Sequence, residues 1–380
     1  LSMVGDIVTV TMVTSESTQS PDVTIGGTLA TVTGSGTAWT AVRTLTADDT
    51  EGAVTLSIDC LDLAGNAGVQ ATATTDGSVV TFDKTAPVIT AVTVSSNNAN
   101  TALAMVGDIV TVTMAASEIT QAPAVTIGGT IATVTGSGNT WTAVRVLTAD
   151  DTEGSITFSI DYLDLAGNTG EQTTATTDGS VVTFDKTPPV FTAVTVVSNN
   201  TYDSALAMVG DTVTVTMAAS ESTQAPSVTI GGTIATVTGS GTAWTAVRAL
   251  TADDTEGAIA LSIDYLDLAG NAGAQTTAAT DGSVVTFDKT VPTFTTLSMA
   301  SNNANTSYAK AGDTVTVTMV ASEITQSPDV TIGGTIVTVS GEGTTWTAVR
   351  VLTADDTEGA VTLSIDYLDL AGNAGAQATA

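Results

Sequence analysis

The chain has 380 residues, and its 39 Asp and Glu against 8 Lys and Arg give a net charge of −31, with no His and a single Cys. This charge repels nucleic acid, so we expect no nucleic-acid partner, whereas carboxylates that converge would attract divalent cations. Without His, imidazole-assisted nucleophiles and the usual zinc ligand sets are excluded, and we predict that the chain is not an enzyme.

The sequence is an array of four near-identical repeats. One Trp marks the same position in each, at spacings of 102, 103 and 102 residues: Trp39, Trp141, Trp244 and Trp346. A period near one hundred residues, filled with alternating Val and Thr and with Gly-rich turns, is typical of one β-sandwich per repeat. The extra residue of the third repeat falls near Tyr202-Asp203, in a loop where an insertion costs little. The predicted domains are residues 1–83, 84–185, 186–288 and 289–380.

Seven short strands are predicted in the second repeat. Period-two alternation places Val110, Val112 and Met114 on one face of the second strand, and glycine-rich turns separate the strands. The predicted strands, in chain order, are residues 88–95, 109–115, 125–127, 131–135, 141–147, 156–162 and 181–184. This pattern predicts an all-β, immunoglobulin-like sandwich in each repeat, and four such domains in tandem predict an elongated rod.

Trp141, Ala143 and Arg145 share one face of the predicted fifth strand, and the same trio recurs in every repeat. In one interpretation the Trp fills the sandwich and the Arg stacks on it or pairs with a carboxylate of a strand. In the other, the Trp and Arg form a platform that binds polysaccharide. Both stay open, because the alternation does not say which face points inward.

Acidic residues recur at the strand ends that an immunoglobulin-like sandwich brings to one pole. A Glu follows the second strand, an Asp and an Asn lie in the turn after the sixth, and an Asp ends the preceding repeat. Mixed carboxylate and amide oxygens suit Ca²⁺ better than Mg²⁺, which demands a stricter octahedron. The predicted ligands are Glu16, Asp62, Asn66, Asp83, Glu118, Asp161, Asp164, Asn168, Asp185, Glu221, Asp264, Asp267, Asn271, Asp288, Glu323, Asp366, Asp369 and Asn373.

Two further possibilities concern these acidic segments. The run from Asp164 to Asn168 can form a polar turn in which Asp and Asn bond their own backbone, and such a turn is compatible with metal binding. The loop Asp150-Asp151-Thr152-Glu153 is a second candidate, because it could approach the same junction from the other side.

Four segments in fixed order carry a family resemblance: Gly107–Val112, Ser117-Glu118, Asp164–Asn168 and Val182–Pro189. This order resembles the tandem bacterial immunoglobulin-like repeats of large extracellular adhesins and biofilm-associated proteins, and the resemblance covers the whole chain. It implies an extracellular or cell-surface spacer, in which neighbouring repeats are stacked and stiffened by Ca²⁺ at their junctions.

The two ends of the chain add alternatives. Leu1 is equivalent to Leu103 and Ala380 to Ala73, so we expect a segment of a longer array, with no first strand in the first repeat and no seventh strand in the fourth. Either this is a fragment boundary, or other copies complete the open edges, which would make the chain a subunit of a self-assembling filament. Because the apolar stretches are shorter than the roughly 20 residues that span a bilayer, no membrane insertion is expected in this segment.

Overall fold

The computed structural model describes residues 1–379, and Ala380, the last residue of the predicted fourth domain, lies outside them. Their regular structure is β-strand alone, and none of it could serve as a membrane-spanning helix. The chain divides into two compact units, Leu1–Lys186 and Thr187–Ala380. Each unit contains two repeats, and each repeat has its own hydrophobic core. The residue limits of the four domains stay a prediction.

The strands of the first unit follow one order in both repeats. Those of the first repeat are β1 (Ile7–Val13), β2 (Asp22–Ile25), β3 (Thr28–Leu29), β4 (Thr31–Ser35), β5 (Ala38–Thr44), β6 (Gly52–Ala53), β7 (Leu56–Asp59) and β8 (Thr81–Phe82). Those of the second repeat are β9 (Ile89–Ser96), β10 (Leu103–Ala104), β11 (Ile109–Ala116), β12 (Ala124–Ile127), β13 (Thr130–Ile131), β14 (Thr133–Ser137), β15 (Thr140–Val146), β16 (Gly154–Ser155), β17 (Phe158–Asp161) and β18 (Thr183–Phe184).

The second unit repeats this order. The third repeat contains β19 (Phe191–Ser198), β20 (Leu206–Ala207), β21 (Thr212–Ala219), β22 (Ser227–Ile230), β23 (Thr233–Ile234), β24 (Thr236–Ser240), β25 (Ala243–Ala249), β26 (Gly257–Ala258), β27 (Leu261–Asp264) and β28 (Thr286–Phe287). The fourth contains β29 (Phe294–Ser301), β30 (Thr314–Ala321), β31 (Asp329–Ile332), β32 (Thr335–Val337), β33 (Val339–Glu342), β34 (Thr345–Val351), β35 (Leu363–Asp366) and β36 (Ala378–Thr379).

Two antiparallel sheets enclose the core of the second repeat. One has the strand order β14-β15-β11-β9 and the other β13-β12-β17, and a small third sheet, β10-β18-β16, closes one side. The order β14-β15-β11-β9 is that of the four-stranded sheet of an immunoglobulin sandwich, whereas the last strand, β18, pairs in the small third sheet instead of beside β17. The predicted all-β, immunoglobulin-like fold is confirmed.

The core faces follow the predicted alternation. In β11, Val110, Val112 and Met114 are at most 2% exposed, whereas Thr113 between them faces solvent. Apolar burial on one strand face drives the two sheets together, and the β-branched residues between them suit the pleated backbone. The predicted inward row at the sixth strand is also buried, as Ile156, Phe158, Ile160 and Tyr162.

The number of strands differs from the prediction, because the second repeat has ten rather than seven. The predicted strand at 131–135 is two strands, β13 in one sheet and β14 in the other, with buried Ala132 between them. Alternation of apolar and polar residues shows which side of a strand each residue faces. It does not show where the chain leaves one sheet and joins the other, so the boundary between β13 and β14 was not predicted. The short strands β10 and β16 pair with β18 through two residues each, which is too little to leave a periodic signal.

The structure places Trp141 and Arg145 on the inner side of the four-stranded sheet, beside the buried Ala143. The Trp141 indole N–H donates to Thr120 Oγ1 at 2.8 Å. Arg145 Nη2 lies 2.7 Å from a carboxylate oxygen of Asp151, and Nη1 donates to the Ile127 carbonyl at 3.1 Å. The Arg therefore pairs with a carboxylate, as one interpretation predicted, although this carboxylate belongs to the acidic loop after the strand.

Candidate metal centre

Three carboxylates from three separate segments of the first unit meet where its two repeats join. Asp83 follows β8, Glu118 follows β11 and Asp164 follows β17, and one oxygen from each lies within 4.8 Å of the others. Asp164 is 1% exposed, and the other two side chains are half-buried. We call these three residues the first acidic cluster.

The turn after β17 holds Asp164 in place. Asp164 Oδ1 accepts the backbone N–H groups of Gly167 at 2.6 Å and Asn168 at 2.9 Å. Its Oδ2 accepts the Asn168 side-chain amide at 2.7 Å. Gly167 has a φ of 106°, a backbone region that disfavours residues with a Cβ. The predicted polar turn is therefore present, and the same carboxylate also takes part in the first acidic cluster.

The segment that carries Glu118 is fixed against this turn. Thr120 forms a β-bridge with Asp164, and the Gln121 side chain donates to the Asp164 carbonyl at 2.9 Å. Thr120 also accepts the Trp141 indole N–H, which ties the segment to the four-stranded sheet. The Trp therefore positions the acidic segment in addition to filling the core, a role that the sequence did not indicate.

The first and second repeats touch through the same turn. The Asn168 side-chain amide donates to the backbone carbonyl of Asp83 at 3.1 Å. A Cβ placed on Gly167 would lie 3.2 Å from the sulfur of Met3. Asn168 thus links the end of one repeat to the turn of the next; its predicted role as a ligand stays a prediction.

The second unit contains an equivalent second acidic cluster, formed by Asp288, Glu323 and Asp369, whose ligand atoms also lie within 4.8 Å of one another. The Asn373 amide donates to the Asp288 carbonyl at 3.1 Å, as Asn168 does to Asp83. Glu323 Oε1 is a buried oxygen with no hydrogen-bond partner. Buried polar atoms are nearly always paired, so this oxygen marks a place where a positive partner fits.

The third and fourth repeats also touch through the loop that carries the extra residue. Asn200 donates through its side-chain amide to the Ala371 carbonyl at 2.8 Å. A Cβ on Gly372 would lie 2.5 Å from Tyr202 Cε2 and 3.5 Å from Met208 Sδ. The loop of the third repeat therefore packs on the turn of the fourth. The expectation that the extra residue sits in a loop is met, but that loop is a contact between repeats.

Negative charge accumulates at both clusters. Burial raises the pKa of Glu118, and the charges of Asp83, Asp164 and Glu51 raise it further. Burial likewise raises the pKa of Glu323, followed by the charges of Asp288, Asp369 and Glu256. Glu51 and Glu256 belong to the Asp-Asp-Thr-Glu loops, so the second predicted segment does approach the junction. The Glu of this loop is the residue whose charge reaches the cluster, and its role as a ligand stays a prediction.

None of the six cluster carboxylates pairs with Lys or Arg in the described part of the chain. Lys84, the nearest Lys along the sequence to the first cluster, donates through Nζ to the carbonyls of Ala47 at 2.7 Å and Asp49 at 2.9 Å. Its ammonium group thus secures the acidic loop.

Other predicted ligands lie apart from the clusters. Asp161, Asp264 and Asp366 are exposed and accept a Gln side chain eleven residues on, at 2.8 to 2.9 Å. In the first repeat, Asp62 accepts Asn66 at 2.7 Å, and Glu16 is exposed. Asp185 belongs to the first unit, whereas Glu221, Asp267 and Asn271 belong to the second, so their joint site stays a prediction.

No protein-family model matches the sequence, and neither does any curated protein. Several solved structures of tandem immunoglobulin domains are similar in fold. The titin I9–I11 tandem is 11% identical with a TM-score of 0.31, over 76% of this chain and 95% of that chain. Sidekick-1 immunoglobulin domains 1–4 are 10% identical with a TM-score of 0.25, over 100% and 93% of the two chains. The ectodomain of mouse nectin-like molecule 4 is 12% identical with a TM-score of 0.25, over 76% and 98%.

Proposed function

We propose that this chain is a spacer segment of an extracellular, adhesin-type surface protein and that Ca²⁺ locks neighbouring repeats together. The observation that carries the proposal is the first acidic cluster, in which carboxylates of two successive repeats lie within 4.8 Å without a Lys or Arg partner. The same arrangement in the second unit, with the unpartnered Glu323 Oε1, supports it. The resemblance of the motif order to bacterial adhesin repeats supports an extracellular setting.

Ca²⁺ fits these donors on chemical grounds. It takes six to eight oxygen ligands with loose geometry, and it accepts carboxylates together with backbone carbonyls and water. Asp83, Glu118 and Asp164 would hold it in the first unit, and their counterparts Asp288, Glu323 and Asp369 in the second. A bound ion would supply the positive charge that these buried and half-buried carboxylates lack, and it would remove their mutual repulsion.

A bound ion would connect the repeats mechanically. Asp83 ends the first repeat, whereas Glu118 and Asp164 belong to the second, so an ion held by all three resists bending at the linker. A spacer needs this property, because a chain of freely jointed domains would not hold a distal part of the protein at a fixed distance. Other repeats of the same protein are therefore its first partners, and polysaccharide binding stays a prediction.

Calcium binding by the full chain tests the proposal. We expect calorimetric titration to show saturable Ca²⁺ binding, and EGTA to lower the melting temperature. Mg²⁺ at the same concentration should restore less of it. Glu323→Gln should reduce the number of bound ions, whereas the exposed Asp366→Asn should leave it unchanged. An equal melting temperature with Ca²⁺ and with EGTA would refute metal-linked repeats.

Small-angle scattering tests the mechanical role. We expect the full chain in EGTA to give a broader distribution of interatomic distances than the chain in Ca²⁺, because the junctions bend more freely. If Ca²⁺ binds and the scattering profiles are the same, the ion stabilises single repeats only and the spacer mechanism is wrong.

A further inference from the structure

A methionine sulfur lies against the acidic turn where the two repeats of each unit join. A Cβ built on Gly167 would lie 3.2 Å from Met3 Sδ and 3.8 Å from Met3 Cε, so the thioether faces this turn. Gly167 is the residue whose N–H donates to Asp164 Oδ1 at 2.6 Å. Met3 therefore packs on the backbone that holds the buried member of the first acidic cluster.

The backbone next to Met3 is bonded to the other side of this cluster. The Asp83 N–H donates to the carbonyl of Ser2, the residue before Met3, at 2.9 Å. Asp83 and Met3 belong to the first repeat, whereas Gly167 belongs to the second. A change at the Met3 side chain therefore acts at the point where carboxylates of the two repeats meet.

The second unit contains the same arrangement. The Asp288 N–H donates to the carbonyl of Ala207 at 2.9 Å, and Met208 follows Ala207 in the chain. A Cβ on Gly372 would lie 3.5 Å from Met208 Sδ. Because two pairs of repeats place a thioether at the same point, the contact is a property of the junction rather than of one loop.

The junction methionines differ in accessibility from the methionines of the cores. Met114, Met217 and Met319 are at most 2% exposed, whereas Met3 and Met208 are half-buried. An oxidant must reach the sulfur to convert it to the sulfoxide, which is a polar group in place of an apolar one. A small oxidant can therefore reach the junctions while the hydrophobic cores stay protected.

We propose that Met3 and Met208 are oxidation-sensitive contacts, through which a peroxide loosens the junctions between repeats. The sulfur lone pair attacks one peroxide oxygen, and the O–O bond breaks as the S–O bond forms. Sulfur thus loses two electrons, and the second oxygen of hydrogen peroxide takes up protons and leaves as water. The larger, polar sulfoxide packs less well on the turn, so the turn and Asp83 separate. A loss of Ca²⁺ affinity follows from this separation, and that step rests on the proposed function.

Hydrogen peroxide treatment of the full chain in EGTA tests the contact itself. We expect amide hydrogen exchange at Gly167 and Asn168 to become about fourfold faster, the effect of losing the burial of one methylene group. Met3→Leu keeps an apolar side chain of similar volume that peroxide does not oxidise, and it should abolish the increase. Met299→Leu replaces a methionine that is 40% exposed in β29, and it should keep the increase.

Peptide mass spectrometry of the same samples locates the sulfoxides. An equal increase in exchange in Met3→Leu and in the unmodified chain would overturn the proposal. An unoxidised Met3 under conditions that oxidise Met299 would overturn it as well, because the junction sulfur would then be out of reach.

Calcium titration separates a failure of this inference from a failure of the proposed function. We expect oxidation to weaken Ca²⁺ binding by the unmodified chain and to leave the double variant Met3→Leu/Met208→Leu unchanged. If the chain binds no Ca²⁺ but exchange still rises on oxidation, the metal-linked spacer is wrong and the oxidation-sensitive contact stands. If Ca²⁺ binding and exchange are both unaffected by oxidation at Met3 and Met208, the inference is wrong and the spacer stands.

Discussion

Two groups of buried acidic side chains in the second repeat differ in what surrounds them. Burial alone would raise the pKa of Asp151, but the Thr148 backbone N–H and the Arg145 guanidinium outweigh it and lower that pKa. Glu118 is also partly buried, and there burial and three neighbouring carboxylates all raise the pKa. Asp151 has its counter-charge within the repeat, whereas Glu118 forms no ion pair with a Lys or Arg in the part of the chain that the structure describes.

This difference separates a carboxylate that pairs with an Arg of its own repeat from carboxylates that have no Lys or Arg partner among residues 1–379. Asp151 stabilises the sandwich, because its ion-pair partner Arg145 is only 12% exposed and needs a counter-charge. In the first acidic cluster the carboxylates repel one another, and no Lys or Arg ion pair among residues 1–379 offsets that repulsion. These uncompensated charges at a fixed place are the observation on which the proposed Ca²⁺ site rests.

Removing the paired carboxylate should have the largest effect. Asp151→Ala leaves Arg145 buried without its partner, and we expect a loss of about 3–5 kcal/mol in the unfolding free energy of the second repeat. Calorimetry of the full chain should show the same loss with Ca²⁺ and with EGTA. The exposed neighbour, Asp150→Ala, is the control and should melt like the unmodified chain. A Ca²⁺-dependent loss would place Asp151 in the metal site.

Asp164→Ala should have a smaller, Ca²⁺-dependent effect. It removes the acceptor of three N–H groups in the turn, which costs about 1–3 kcal/mol in EGTA. The stabilisation that Ca²⁺ gives this repeat should also disappear. Asp161→Ala, in the same segment, removes only a surface bond to Gln172 and should keep the Ca²⁺ response. Retention of that response in Asp164→Ala would remove Asp164 from the site.

The pH dependence should distinguish the clusters from the ion pairs. Glu323 binds its proton more tightly in the folded than in the unfolded chain, where its ordinary pKa is 4.5. Its contribution to stability is therefore present at low pH and is lost as the pH rises through the raised value. Ca²⁺ should abolish this loss, because it stabilises the ionised form. Thermal melts from pH 4 to 8 in EGTA and in Ca²⁺ measure both, and parallel curves would contradict the prediction.

The smallest effect expected is that of Glu323→Gln, and its sign should depend on Ca²⁺. In EGTA the substitution removes one of the repelling charges and should stabilise the fourth repeat by about 0.5 kcal/mol. In Ca²⁺ it removes a ligand and should destabilise the same repeat. Glu342→Gln, which changes an exposed Glu in β33 of the same repeat, controls for net charge. The same sign in both buffers would argue against a shared cation.

Much of the fold follows from the sequence. The alternation in β11 predicts its buried face, and the order of strands and loops predicts that Asp83 meets Glu118 and Asp164 at the junction between two repeats. The contacts between separate strands and loops do not follow from the sequence. Three features depend on how separate segments pack against each other: the switch of sheet between β13 and β14, the Trp141–Thr120 hydrogen bond and the approach of Glu51 to the first acidic cluster. No periodic pattern in the sequence encodes the distances between such segments.

The contact made by Tyr202 has a consequence for assembly of the chain itself. Tandem domains of nearly the same sequence tend to exchange segments with their neighbours while they fold, because a strand of one repeat satisfies the next equally well. Tyr202 rests on Gly372, and no other repeat contains this inserted aromatic residue. The extra residue thus makes the contact between the third and fourth repeats different from the one between the first and second, where Met3 lies against Gly167. We expect this difference to disfavour exchange of segments at that junction.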